Sequence, residues 1–269
     1  SSKYIFDHSL VTMLGYGELK MGATIYSYLK GYNDPRMAKY FTKATADTQN
    51  SDFYAVRSGI DPTTDETTYK NFSVPTVVNA TPTYWLRASE VQFLLAEAAL
   101  IGWYTNDTAE NLYKKGIEIS FVENGLTAAQ AQSYYNSSAQ PANYADPKNS
   151  AYNINAASTI DKKWLSSGST EDHLEQIITQ KYLANYPNGF ESWSEWRRTG
   201  YPRMFTAALN RTNVGAQNIP ASGKDFGMRR FPFPENEFKQ NRENVTAAQS
   251  LLGGADNAAT NVWWDKKSK

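Results

Sequence analysis

Leu10, Leu14, Met21, Ile25 and Leu29 recur at near-helical spacing through residues 9–41, and the run Gly31-Tyr32-Asn33-Asp34-Pro35 breaks the pattern. Asp34 as cap and Pro35 in the first turn then predict a short second helix over 36–41. The clearest helical pattern covers 84–103, where Leu86, Glu90, Leu94, Glu97 and Ile101 follow one another and Val91, Leu95, Ala98 and Ala99 add apolar surface. A helix apolar most of the way round is expected at the centre of the fold. Asp107-Thr108-Ala109-Glu110 and Thr127-Ala128-Ala129-Gln130 have the form of capping boxes, and Gly125 between them is a stop. Ser169 with Asp172 predicts a start for a helix over 170–186, and Pro187-Asn188-Gly189 turns the chain into another over 190–199.

Between these helices lie two long polar stretches, 42–83 and 136–168, rich in Thr, Ser, Asn and Asp. Loops of that length in a compact domain are functional or mobile. Val74-Pro75-Thr76-Val77-Val78 reads as a short edge strand inside the first. Residues 200–269 read as an irregular carboxy-terminal packing segment, because Pro202, Pro220, Pro232 and Pro234 forbid a long helix. Glu235-Asn236-Glu237-Phe238 reads as the start of a short turn of helix there, and Trp263-Trp264 near the end implies a tail folded back on the domain. The fold class is mostly α: helix pairs of a tetratricopeptide-like kind in one domain over 1–269.

Composition removes several function classes. Lys+Arg and Asp+Glu both count 27, so formal charge is zero and no basic stripe points to nucleic acid. Cysteine is absent, which rules out disulfides, zinc-thiolate sites and a thiol nucleophile. The two histidines, His8 and His173, are far apart and read as surface or packing residues rather than metal ligands. Asp61, Asp65 and Glu66 have the chemistry for calcium, but in a Thr-rich loop they read as solvated carboxylates, so neither metal nor cofactor is expected. No apolar run reaches the ~20 residues that span a bilayer. Six Asn-x-Ser/Thr triplets, from Asn71 to Asn244, are treated as chance in an Asn- and Thr-rich chain. The unusual feature is 14% aromatic residues, including 18 Tyr and 7 Trp. Most are expected in helix interfaces, and some as exposed platforms for ligand.

Four segments, in order, resemble the SusD/RagB family of nutrient-binding lipoproteins of Bacteroidetes. They are Asn33-Asp34-Pro35-Arg36; Leu86-Arg87-Ala88-Ser89-Glu90-Val91 with Leu95-Ala96-Glu97-Ala98-Ala99; Gln180-Lys181-Tyr182-Leu183-Ala184 with the stretch from Glu191 through Trp193, Glu195, Arg197 and Arg198 to Pro202; and Arg229-Arg230-Phe231-Pro232-Phe233-Pro234-Glu235. Ser89 departs from the family's usual residue, and the family's lipoprotein signal and cysteine have no counterpart here. The resemblance implies a SusD-like α-superhelical fold of which this chain is the carboxy-terminal portion, with the amino-terminal part missing. It also implies a place on the outer face of the outer membrane, a lipid anchor outside this chain, and a SusC-like TonB-dependent transporter as partner. The paired carboxylates Glu90 and Glu97, with Arg197 and Arg198, read as structural ion-pair partners between helices rather than as an acid and base.

Non-catalytic capture of a glycan or oligosaccharide is the function expected from that resemblance. Flat rings meet the apolar faces of sugars while Asn, Arg and Asp take the hydroxyls. No motif carries the ligand residues, so they are placed in the loops: Phe53, Tyr54, Arg57 and Tyr69 in the first, Tyr144, Tyr152 and Trp164 in the second. Peptide or other non-glycan nutrient binding is the alternative, with a glycoside hydrolase and a pure interaction scaffold behind it.

Overall fold

The structure, a computed structural model, describes residues 9–17, 19–45, 52–61, 67–210, 212, 219 and 227–265. Ten helices among them position the rest: α1 (Ser9–Gly15), α2 (Ala23–Gly31), α3 (Met37–Tyr40), α4 (Ala88–Leu100), α5 (Ala109–Glu123), α6 (Ala128–Asn136), α7 (Thr170–Asn185), α8 (Gly189–Thr199), α9 (Glu235–Gln240) and α10 (Arg242–Ser250). The described residues form no sheet, only isolated bridges Gly22↔Val56, Phe41↔Pro75 and Tyr144↔Ile154. The edge strand expected at 74–78 is therefore a single bridge.

Helix α4 is central. It packs most extensively on α5 and next on α7, while α5 also meets α6, and α7 meets α8. The α4–α5 approach depends on Gly116, whose missing side chain leaves room for the Phe93 ring; a Cβ there would lie 2.7 Å from it. Phe93, Tyr113, Ile117, Phe121, Ile177 and Leu183 are fully or nearly fully buried around this junction.

Most expected helix ends hold. Thr127 and Ser169 close full capping boxes, with Gln130 and Asp172 answering them. Helix α5 differs by one residue: Thr108 is the cap and accepts from Asn111, while Asp107 binds the Thr108 N–H and the Asn111 amide. The first helical stretch is split, because Gly17 turns at φ 77° after α1 and α2 begins only at Ala23. The carboxy-terminal segment holds more order than expected, since α9 and α10 follow directly on Pro234.

The Asn33–Arg36 turn lies at the heart of the fold. Arg36 is fully buried, grips Asp34 through two nitrogens at 2.5–3.1 Å, and reaches Ser120 on α5 at 2.9 Å and Gln180 on α7 at 3.0 Å. Its guanidinium also lies 5.0 Å from the centre of the Phe121 ring and 5.6 Å from that of Tyr134. Burial alone would loosen its proton, but the Asp34 charge and hydrogen bond together with Tyr40 and Tyr134 outweigh that and hold Arg36 charged.

Both long loops are stitched to this core. Backbone bonds join Met21 to Ser73, Ala23 to Val56, Thr42 to Val74 and Thr76 to Tyr40 in the first. In the second, Tyr113 and Tyr32 donate to the carbonyls of Lys162 and Ile160, and Gln176 donates to those of Asp161 and Lys163.

Candidate ligand-binding cleft

The structure brings most of the sequence-derived ligand residues together, but largely inside. The Tyr69 and Tyr144 hydroxyls lie on the same Asp146 oxygen, at 3.1 and 2.8 Å, and the single Tyr144 hydroxyl proton is shared between that oxygen and the Ala55 carbonyl at 2.7 Å. Tyr69 and Tyr152 are buried with Phe72, against half-buried Tyr54. Phe53 and Tyr144 lie in the main core. Arg57 binds the Thr206 and Tyr152 carbonyls at 3.0 and 3.3 Å, locking the two loops to each other. Trp164 lies apart, half-buried, stacked on His173 at 4.1 Å and 7°. Phe53, Tyr69, Tyr144 and Tyr152 thus have their rings covered, Tyr69 and Tyr144 bonded to Asp146 and Phe53 and Tyr152 packed into apolar clusters; of the seven only Tyr54, Arg57 and Trp164 keep partial exposure. Asp65, Glu66 and His8 lie outside the described residues, and no group of three or more metal-ligating side chains occurs among those described.

The exposed rings gather elsewhere. Trp85 is 96% exposed, Phe190 89%, Phe231 76%, Trp193 49% and Tyr84 41%. They line one cleft of about 890 Å³ between the irregular lead into α4, the α7–α8 turn and residues 228–231, with Leu10 and Met13 of α1 at its edge. Helix α8 explains part of this. It carries Phe190 and Trp193, yet Thr199 is its only buried residue, so its apolar stripe faces the cleft rather than the core.

Polar groups in the cleft are few. Arg87 is buried, stacks 4.1 Å from the Tyr84 ring centre and donates to the Tyr186 carbonyl at 3.1 Å. Asn188 caps α8 by accepting the Glu191 N–H. The Asn185 carboxamide lies beside Glu90, close enough to favour its charged form, yet neither amide atom completes a hydrogen bond of normal geometry.

Beneath the cleft an ion network fixes the wall. Lys181 on α7 is 1% exposed and contacts Glu90 at 3.4 Å, Glu191 at 2.8 Å and Glu195 at 3.0 Å. Arg198 then bridges Glu195 to Glu97 of α4, with two parallel bonds to Glu97 at 2.6 and 2.7 Å. Burial would lower Lys181, but the bonds to Glu191 and Glu195 raise it overall. Burial raises Glu90 against the pull of Lys181, while the Lys181 bond lowers Glu191. The pairing expected for Glu90, Glu97 and Arg198 is therefore a structural lattice between α4, α7 and α8. Arg197 instead donates to the carbonyls of Met228 and Arg229, tying residues 228–231 to the cleft.

A second groove of about 580 Å³ continues past Trp193 and Phe231 toward Trp264. Its four arginines, Arg197, Arg198, Arg229 and Arg230, do not make it an anion site. Arg198, Arg229 and Arg230 are matched to Glu97 and Glu195, Asp265 and Asp256 respectively.

Comparison with known proteins places this architecture. The SusD-like family profile, described as Susd and RagB outer membrane lipoprotein, matches residues 1–265. A SusD homolog from Bacteroides thetaiotaomicron is 38% identical, with a TM-score of 0.80 over 93% of this chain and 52% of its own. A chitin-binding SusD homolog from Flavobacterium johnsoniae is 36% identical, with a TM-score of 0.79 over 93% of this chain and 50% of its own. A SusD-like protein from Bacteroides thetaiotaomicron reaches a TM-score of 0.82 at 33% identity, over 98% of this chain and 54% of its own. The chain therefore spans about half the length of the solved structures it matches. No curated protein matches.

Proposed function

Since the chain belongs to the SusD-like family of outer membrane lipoproteins, we propose that it serves a cell-surface protein that captures glycan or oligosaccharide without altering it and delivers it to a SusC-like TonB-dependent transporter. The family supports nutrient binding, and the observation that carries the sugar reading is the aromatic cleft. Trp85 and Phe190 present open ring faces to which the C–H faces of a pyranose can stack, while Arg87 and Asn188 offer the scarce polar contacts. The chitin-binding relative adds weight to the sugar reading.

Half-exposed Tyr54, Arg57 and Trp164 remain a rival contact set within the same proposal. The peptide alternative has one observation in its favour: the cleft walls are mostly apolar, which also suits peptide side chains. A side-by-side screen of a glycan panel, including chito-oligosaccharides, and a peptide library decides between them. Binding followed by Trp fluorescence and calorimetry, with chromatography of the ligand afterwards, is expected to show a glycan hit recovered intact. A peptide-only hit would replace the sugar reading, and cleaved ligand would overturn capture without chemistry.

A further inference from the structure

The second long loop, the start of α7 and Arg203 enclose a polar pocket of about 540 Å³. Glu175 of α7 lines it and is only 8% exposed. The Ser158 hydroxyl donates to its Oε1, but among the described residues nothing donates to Oε2. The Arg203 Nε stands 3.9 Å from that oxygen, beyond hydrogen-bond reach. The Arg203 guanidinium lies 5.1 Å from the centre of the Tyr201 ring and donates no hydrogen bond within the described residues. Burial pushes the Glu175 carboxyl above its ordinary value, against the pull of Ser158 and Arg203. The pocket's other carboxylates are spent locally. Asp161 accepts from the Ser138 hydroxyl and the Ala139 and Lys163 N–H groups, and Asp172 closes the cap with Ser169.

We propose that this pocket is a second ligand site, which takes an uncharged polyhydroxyl group, such as one sugar ring, through a hydroxyl bridging Glu175 and Arg203. An oxygen about 2.8 Å from each group closes the 3.9 Å gap, accepting from Nε and donating to Oε2. The remaining Arg203 N–H groups, with exposed Gln140 and Thr159, supply polar groups for neighbouring hydroxyls. The pair also sets the ligand's charge, because Glu175 disfavours an anion and Arg203 a cation, while a neutral hydroxyl suits both. A single water fits the gap too, but the pocket has the volume of a small-molecule site. Glu175 and Asn185 lie ten residues apart on α7, about 15 Å along its axis, which separates the pocket from the aromatic cleft that Asn185 lines. The proposal stands independently of the ligand that the cleft takes.

Saturation-transfer NMR on the full-length mature protein tests it, with Trp85→Ala and Phe190→Ala together silencing the cleft. The probes are the methyl glycosides of glucose, galactose, mannose and N-acetylglucosamine, with glucosamine and glucuronate beside them. At least one neutral glycoside is expected to bind. Arg203→Met, at an exposed side chain, and Glu175→Gln are each expected to weaken that binding about tenfold, the loss of one charged hydrogen bond. Both variants are checked for unchanged melting, and Arg203→Met decides alone if Glu175→Gln fails to fold. No transfer to any neutral glycoside would leave the gap to water and overturn the proposal. Unchanged affinity in a folded variant, or tighter binding of glucosamine or glucuronate than of every neutral probe, would overturn it as well.

Discussion

Lys181→Met removes the buried cation that joins Glu90, Glu191 and Glu195 beneath the cleft. The substitution keeps the volume and apolar stem but leaves Glu90, Glu191 and Glu195, all within 3.4 Å of the lost ammonium, facing one another. Each contact has a gross attraction of several kcal/mol at an effective dielectric of ~20, most of it offset by desolvation. Removing one partner of a buried ion pair costs about 3–5 kcal/mol, because the other charge stays buried and uncompensated. For a domain of this size that lowers the melting temperature by about 6–20 °C. Glu195 keeps Arg198, so the lower half of the range is expected. The pH dependence identifies the cause. In the native protein the lowered Glu191 stabilises above its ordinary 4.5 and loses that stabilisation as pH falls through its folded value. The raised Glu90 acts oppositely, its contribution fading as pH rises from 4.5 through its folded value. The raised Lys181 contributes fully below 10.5 and is lost only as pH rises through its folded value. Without the cation Glu90 and Glu191 lose the charge that favours their ionised forms, so the deficit of the variant must shrink between pH 7.5 and 4.5. Urea denaturation at both pH values measures it. A deficit below 1 kcal/mol, or one unchanged with pH, would refute the reasoning.

Other substitutions test the packing that supports the cleft. Arg36→Met strands fully buried Asp34 and is expected to cost about 3–5 kcal/mol in denaturant unfolding, with Asp34→Asn added to it recovering part of the loss. Gly116→Ala places a methyl 2.7 Å from the Phe93 ring and is expected to destabilise by about 1–3 kcal/mol, read as a lower urea midpoint at unchanged slope. Ser169→Ala removes half of a capping box and is expected to cost about 1 kcal/mol, with the loss confined to stability rather than ligand affinity.

The sequence carried the helices well where local chemistry decides them. Thr127 and Ser169 announce their caps within four residues, and the apolar circumference of 84–103 announces a central helix. Family motifs also marked the core: Asp34, Arg36, Glu90, Lys181 and Glu195 are all interior ion-pair partners. The ligand residues were harder, because burial of a loop aromatic is set by distant partners. Tyr69 is covered through Asp146, 77 positions away, and Arg57 through Thr206, 149 away. No local pattern distinguishes such a tyrosine from an exposed one. A usable signal did exist on α8, where Phe190 and Trp193 share an otherwise polar helix, and in Tyr84-Trp85 just before α4. Aromatics on an amphipathic helix read as core by default, and only the packing shows that α8 turns them outward.

The central claim is that the aromatic cleft takes the ligand, and paired affinity measurements test it most directly. Calorimetry with the best glycan from the screen would compare Trp85→Ala and Phe190→Ala with Tyr54→Ala and Trp164→Ala, all checked for native melting. Loss of an aromatic anchor at a contact centre costs about 2 kcal/mol, so the cleft variants are expected to bind roughly 30-fold more weakly while the loop variants stay near the native value. Unchanged affinity in both cleft variants would contradict the account, and weakened binding in the Tyr54 and Trp164 variants instead would move the site to the loops.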